Sequence, residues 1–145
     1  MTTPQTVHDF LRRAFAPTTR GVVGLTEQLL AACGEGDVEF ERIGDRCVCR
    51  WSAGRETQDA DAPLPATAFR TVLARIAALC NEHNAGSVSP YGGDGLLPVG
   101  GNPATAVRVT FVNTPAEQRV KLTNLGARAA DVSERASAER DHIPA

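Results

Sequence analysis

The chain has 145 residues, 42% of them hydrophobic and 22% charged, an ordinary globular composition that excludes a mostly disordered polymer. One domain of this length can bury a core without disulfides, and with aromatics at only 5% that core must come mainly from Ala, Val, Leu and Ile. Fifteen Lys and Arg against 17 Asp and Glu leave a formal net charge of -2, which argues against a general electrostatic nucleic-acid binder.

The first apolar pattern reads as a helix. Val7, Phe10, Leu11 and Ala14 recur at helical spacing behind Thr6, an N-cap candidate with Asp9 three residues on, and Pro17 stops the run. A second helix spans about 21–33, with Val22, Leu25, Leu29 and Cys33 as its stripe and Gly34 and Gly36 as its terminators. The period then drops to two. Val38 and Phe40 face one side and Glu39 and Glu41 the other, Gly44-Asp45 is a Gly-X hairpin signal, and Cys47, Cys49 and Trp51 share a face on the return strand opposite Arg46, Val48 and Arg50. The polar stretch 53–63 reads as a loop.

The strongest helix follows at about 65–83, where Phe69, Val72, Leu73, Ile76, Leu79 and Cys80 form an unbroken stripe. The Gly- and Pro-dense segment 87–103 is expected to be loop or short irregular edge strand. Strand alternation resumes at 106–112, with Val107, Val109 and Phe111 inward and Arg108 and Thr110 outward; after a turn at 113–115 it continues over 119–122. The expected architecture is a single α+β domain over 1–125, an antiparallel sheet with helices on one face in the order α-α-β-β-α-β-β, followed by a polar tail over 126–145.

Chemistry-bearing motifs are sparse. The sequence contains no phosphate-cradling G-x-x-x-x-G-K-[ST], no dinucleotide glycine turn, no G-x-S-x-G elbow and no H-E-x-x-H. Cys47 and Cys49 invite a metal or redox role, but His8, His83 and His142 are scattered and no second ligand pair lies nearby, so buried reduced thiols are expected for all four cysteines, Cys33 and Cys80 included. Glu39 and Glu41 read as solvated strand acids more simply than as an acid–base pair. No enzyme activity, cofactor or metal is expected. With no apolar run long enough for a bilayer span and no leader pattern, the expected location is the cytoplasm.

Several segments, taken in order, resemble the N-terminal PAS-like domain of type II secretion and type IV pilus ATPases. The run VVGLTEQLLAACGEGDVEFER is similar to that family's opening helix and strand, with Asp37 and Glu41 on matching positions, Glu39 where the family has histidine and Arg42 where it has proline. RCVCRWSAG keeps a matching Gly54 but loses the family's aspartate; FRTVLARIAALCNEH resembles the crossover helix; Pro90 and Asp94-Gly95 loosely match the following loop; and VRVTFVNTPAEQ places Arg108, Val109, Thr114 and Glu117 on matching positions. The likeness covers about 20–123 and none of the motor domain that carries the family's ATP site.

The resemblance implies a PAS-like sandwich and a role in assembly. It points to a non-catalytic interaction module that binds a protein partner such as a secretion or pilus motor component, not nucleic acid and not by membrane insertion. Arg108 matches a family position whose arginine reaches toward a neighbouring subunit's nucleotide; Arg50, Lys121, Asp94 and Glu117 complete the expected interaction set. Two alternatives stand beside it: a PAS-like small-molecule sensor with a pocket between the long helix and the sheet, and a degenerate nucleotide binder using Arg108 and the glycines at 92–95.

Overall fold

A computed structural model describes residues 6–33, 37–53, 56–99 and 105–126. Along the described residues run α1 (Val7–Ala14), α2 (Gly21–Ala32), β1 (Asp37–Ile43), β2 (Arg46–Ala53), β3 (Glu56–Ala62), α3 (Ala66–His83), β4 (Gly92–Val99), β5 (Thr105–Asn113) and β6 (Gln118–Gly126). The class is α+β. The strands form one six-stranded antiparallel sheet in the order β3-β2-β1-β6-β5-β4, two three-strand meanders joined where β1 pairs with β6. Gly34, Gly36, Gly54, residues 100–104 and the tail over 127–145 lie outside the described residues.

Strand alternation sorts the sheet into two faces. In register, Gln58, Trp51, Val38, Leu122, Val109 and Gly95 form one inner row, and Ala60, Cys49, Phe40, Val120, Phe111 and Gly93 the next. All three helices cover this face and share one buried cluster with it. The connection from β3 to β4 runs from one edge of the sheet to the other, and α3 makes it. Its 18 residues rise about 27 Å, against about 24 Å for five strand spacings, so the helix is long enough for the crossing, and it packs on β2, β6, β5 and β4. Phe69, Val72, Leu73, Ile76 and Cys80 are buried along it as the helical spacing predicts, whereas Leu79 is only half-buried.

α1 begins where Thr6 Oγ1 accepts from the Asp9 N–H at 3.1 Å, and it ends at Ala14, ahead of Pro17. Phe10 and Phe15 each set a ring 6.1 Å from that of Phe40, and Val7 N–H donates to Gln58 Oε1 at 2.9 Å, which ties the helix to β3. On α2 the buried face is rotated from the expected stripe: Val22 and Leu25 are half-buried, while Thr26, Leu29, Leu30 and Cys33 are buried. Thr26 enters the interior because its hydroxyl donates to the Val22 carbonyl at 2.7 Å, satisfying its polar group within the helix.

Two strands correct the expected order. The stretch expected as loop over 53–63 contains β3, whose small inward residues Ala60 and Ala62 lie beneath α1 and whose outward Asp59 stands opposite Arg50. Low intrinsic strand propensity is overridden by a partner strand that supplies the pairing. In the Gly/Pro segment, β4 is a regular eight-residue edge strand. Its glycines admit close approach: a Cβ on Gly95 would sit 3.0 Å from Cys80 Sγ. The Gly44-Asp45 hairpin forms as read, with Gly44 at φ +66° between the paired residues Ile43 and Arg46.

Ile76 is 0% exposed at the middle of α3, so Ile76→Ala is expected to cost about 2–5 kcal/mol in urea unfolding. A loss below about 0.5 kcal/mol, the size of an ordinary surface change, would mean that the stripe does not pack on the sheet.

Candidate functional site

The outer face of the sheet, which no helix covers among the described residues, carries four of the five residues singled out from sequence. Arg108 on β5 places Nε 3.2 Å from Asp94 Oδ1 on the neighbouring β4, and the second oxygen of Asp94 lies 3.5 Å from Thr110 Oγ1. Lys121 stands opposite Thr110 on β6, so Arg108, Asp94 and Lys121 share one region. Arg50 is on the same face but three strands from β5, about 14 Å away, with its Nε 3.2 Å from Asp59 Oδ1. Glu117 is apart from them in the β5–β6 turn, where it pairs with Arg119 at 3.1 Å.

Register reveals a pattern that composition hides. Asp59, Arg50, Glu39 and Lys121 lie side by side on four consecutive strands, a row of alternating sign. In the next row Glu41 stands opposite Arg119. Glu39 therefore sits between two cations. Neighbouring opposite charges on a sheet face contribute about 0.2–1 kcal/mol each, and Arg108, at 58% side-chain exposure, keeps access to a partner. Asp59 and Arg119 were not read as site residues, because only the pairing of β3 with β2 and of β6 with β1 brings them into these rows.

A second feature lies at the β4 edge. Leu30 of α2, Leu79 of α3, and Leu97 and Val99 of β4 line a groove of about 560 Å³, with Glu27, Glu82 and His83 as polar lining and no Lys or Arg among the lining residues. The groove lies between α2, the end of α3 and the second half of β4, while the loop after α3 packs on the first half. Asn81 holds that loop, its Nδ2 donating to the Val88 carbonyl at 3.0 Å and its Oδ1 accepting from the Val88 N–H at 3.1 Å, and this seats Val88 over Gly93 and Gly95. Nothing in the sequence signals it: Leu79 reads as part of the α3 stripe yet is only half-buried, and Leu30 lies off the expected α2 stripe yet is buried.

The glycines at 92–95, read as a loop able to cradle phosphate, belong instead to β4, and Asp94 among them holds Arg108. Between α3 and the sheet, where the sensor alternative places a pocket, Phe40, Leu73, Ile76, Val109 and Leu122 are each 0% exposed, and the space lies instead at the β4 edge, where Leu79, Glu82 and His83 of α3 face Leu97 and Val99. Among the described residues, no group of three or more His, Cys, Asp or Glu side chains could hold a metal, and no helix is long and apolar enough to cross a membrane. No protein-family model matches the chain, and no curated protein matches it.

All four thiols are buried and free. Burial pushes Cys33, Cys47 and Cys49 from the ordinary 9.0 up to about 12, with Cys47, Cys33 and Asp59 adding to the rise at Cys49. Burial and then Asp94 raise Cys80 to about 11. A thiolate is the nucleophile and metal ligand, so these groups are held in their inert form at neutral pH. Folded pKa values above the unfolded one mean that the unfolded state loses its protons first. Stability from this source is therefore fully present below pH 9 and falls as pH rises toward 11–12. Urea midpoints measured from pH 7 to 11 are expected to hold steady and then drop above 9. A thiol-reactive dye should label none of the four in the native state at pH 8 and all four in guanidinium.

Proposed function

We infer that the chain is a non-catalytic protein-interaction module, of the kind that the N-terminal domain of secretion and pilus ATPases represents. The observation that carries this reading is the division of the sheet into one face that packs against helices, apart from the groove beside β4, and another that no described helix covers. The inner face shares one buried cluster with three helices. The outer face presents a charged, register-ordered surface of about six strands' width, with Arg108, Asp94 and Lys121 clustered toward one edge. The described titratable groups with resolved shifts are buried thiols raised away from reactivity, which is the opposite of what a nucleophilic site requires.

The Arg108 guanidinium is the best-suited anchor on that face. It projects from a central stretch of β5 whose neighbours Val107 and Val109 are locked into the core, so its backbone is rigid. A planar fork held by one carboxylate retains donors for a second acceptor from a partner. The partner class that follows from the resemblance is a component of a secretion or pilus motor.

Arg108→Ala should leave the thermal midpoint nearly unchanged, since an exposed ion pair adds little. It should weaken capture of that partner class by immobilised full-length chain by about thirtyfold in Kd, the equivalent of an interface arginine worth about 2 kcal/mol. Unchanged capture by the folded variant would remove Arg108 from the interface. Failure of the wild-type chain to capture a purified motor component would remove the motor assignment.

A further inference from the structure

We propose that the open edge of β4, together with the apolar groove beside it, accepts an extended peptide segment with alternating apolar side chains and a Lys or Arg. This deepens the interaction-module reading and rests on it.

The two edges of the sheet are built differently. β3 carries Glu56, Asp59 and Asp61, and α1 is tied to it through Gln58. Charges and coverage of this kind discourage another strand from pairing there. β4 carries one charge, Asp94, and that side chain is turned across the outer face to Arg108. Among the described residues no strand pairs with the far side of β4, and the groove opens beside Leu97, Pro98 and Val99, where Leu97 is buried and Pro98 offers an acceptor but no donor. The unpaired backbone groups of an edge are hydrated until another strand replaces the water, and a segment that pairs with them must be extended, which sets the conformation of the occupant.

The groove sets its side chains. A strand added to β4 sends alternate residues to the helix-covered side, and Leu30, Leu79, Leu97 and Val99 are what they would meet. The volume of about 560 Å³ falls within the range of about 300–1,000 Å³ common to ligand sites. The charge of the lining sets the flank. Glu27 is already held bidentate by Arg20, but Glu82, with a side chain 63% exposed, meets Arg75 only at 3.7 Å and keeps capacity for another cation. A Lys or Arg of the peptide is therefore assigned to Glu82.

The test uses the full chain and two fluorescein-labelled eight-residue peptides that alternate valine with threonine over six residues and end in two lysines in one and two glutamates in the other, so that one charge of each pair falls on the groove side. Anisotropy titration should show saturable binding of the lysine peptide and at least tenfold weaker binding of the glutamate peptide. Glu82→Lys should invert that preference, and the amides of Leu96, Leu97 and Val99 should gain hydrogen-exchange protection when the lysine peptide is bound. The proposal is overturned by no saturable binding up to millimolar peptide, or by a preference that Glu82→Lys does not alter. It is equally overturned if protection at 96–99 appears without peptide and grows with protein concentration, which would make a second copy of the chain the occupant. A motor component captured equally by wild type and Glu82→Lys, yet lost with Arg108→Ala, would keep the module reading and remove only the groove.

Discussion

The structure depends on one crossing. A chain that finishes its first meander at β3 and starts its second at β4 must travel from one edge of the sheet to the opposite one, and α3 carries it over the inner face. The helix divides that face with α1: α3 packs on β2, β6, β5 and β4, where glycine at 95 lets its Cys80 end come down close, while Phe40 takes the rings of Phe10 and Phe15. The central β1–β6 pairing joins the first and last strands of the sheet. It closes only after the crossing has brought the second meander back beside the first, a long-range contact whose closure cost is met by the burial α3 provides.

From this crossing follow two unequal edges. Where the chain enters α3, the β3 edge is shielded by α1 and by its own carboxylates; where the chain leaves α3, the β4 edge is covered for half its length by the loop that Asn81 holds. Edge strands left open invite pairing, and proteins that keep one open do so where pairing is wanted or else blunt it with proline or charge. Pro98 removes a donor from β4, and three glycines weaken its intrinsic strand tendency. The edge is thus poor at unspecific association but still has an apolar groove beside it.

The outer face obeys a different physical rule. Buried positions are decided by volume, whereas these positions are decided by sign across the pairing register. Asp59, Arg50, Glu39 and Lys121 neutralise one another in a row, which gives this face a charged surface with little net charge. Arg108 and Asp94 repeat the device at the opposite side. Such pairs are weak in water, and so they are easily exchanged for a partner's charges.

Sequence periodicity by itself determined α1, α3, the β1–β2 hairpin with its Gly44 turn, and the inward sides of β5 and β6, because in each the apolar residues repeat at the period of the element they form. It also placed Arg108 and Lys121 outward, since Val107, Val109, Val120 and Leu122 must face the core. β3 was not legible: its inward residues are Ala and its outward ones Asp, and only pairing with β2 and the cover of α1 turn that stretch into a strand. β4 was hidden by its glycines, whose role appears only when Cys80 and Val88 are seen packed against them. The rotation of α2, the alternating charge row and the groove at the β4 edge are likewise properties of neighbours that come together from distant parts of the chain. A one-dimensional pattern states which way a residue must point; which residue stands opposite it is decided by register and crossing, and those exist only in the folded sheet.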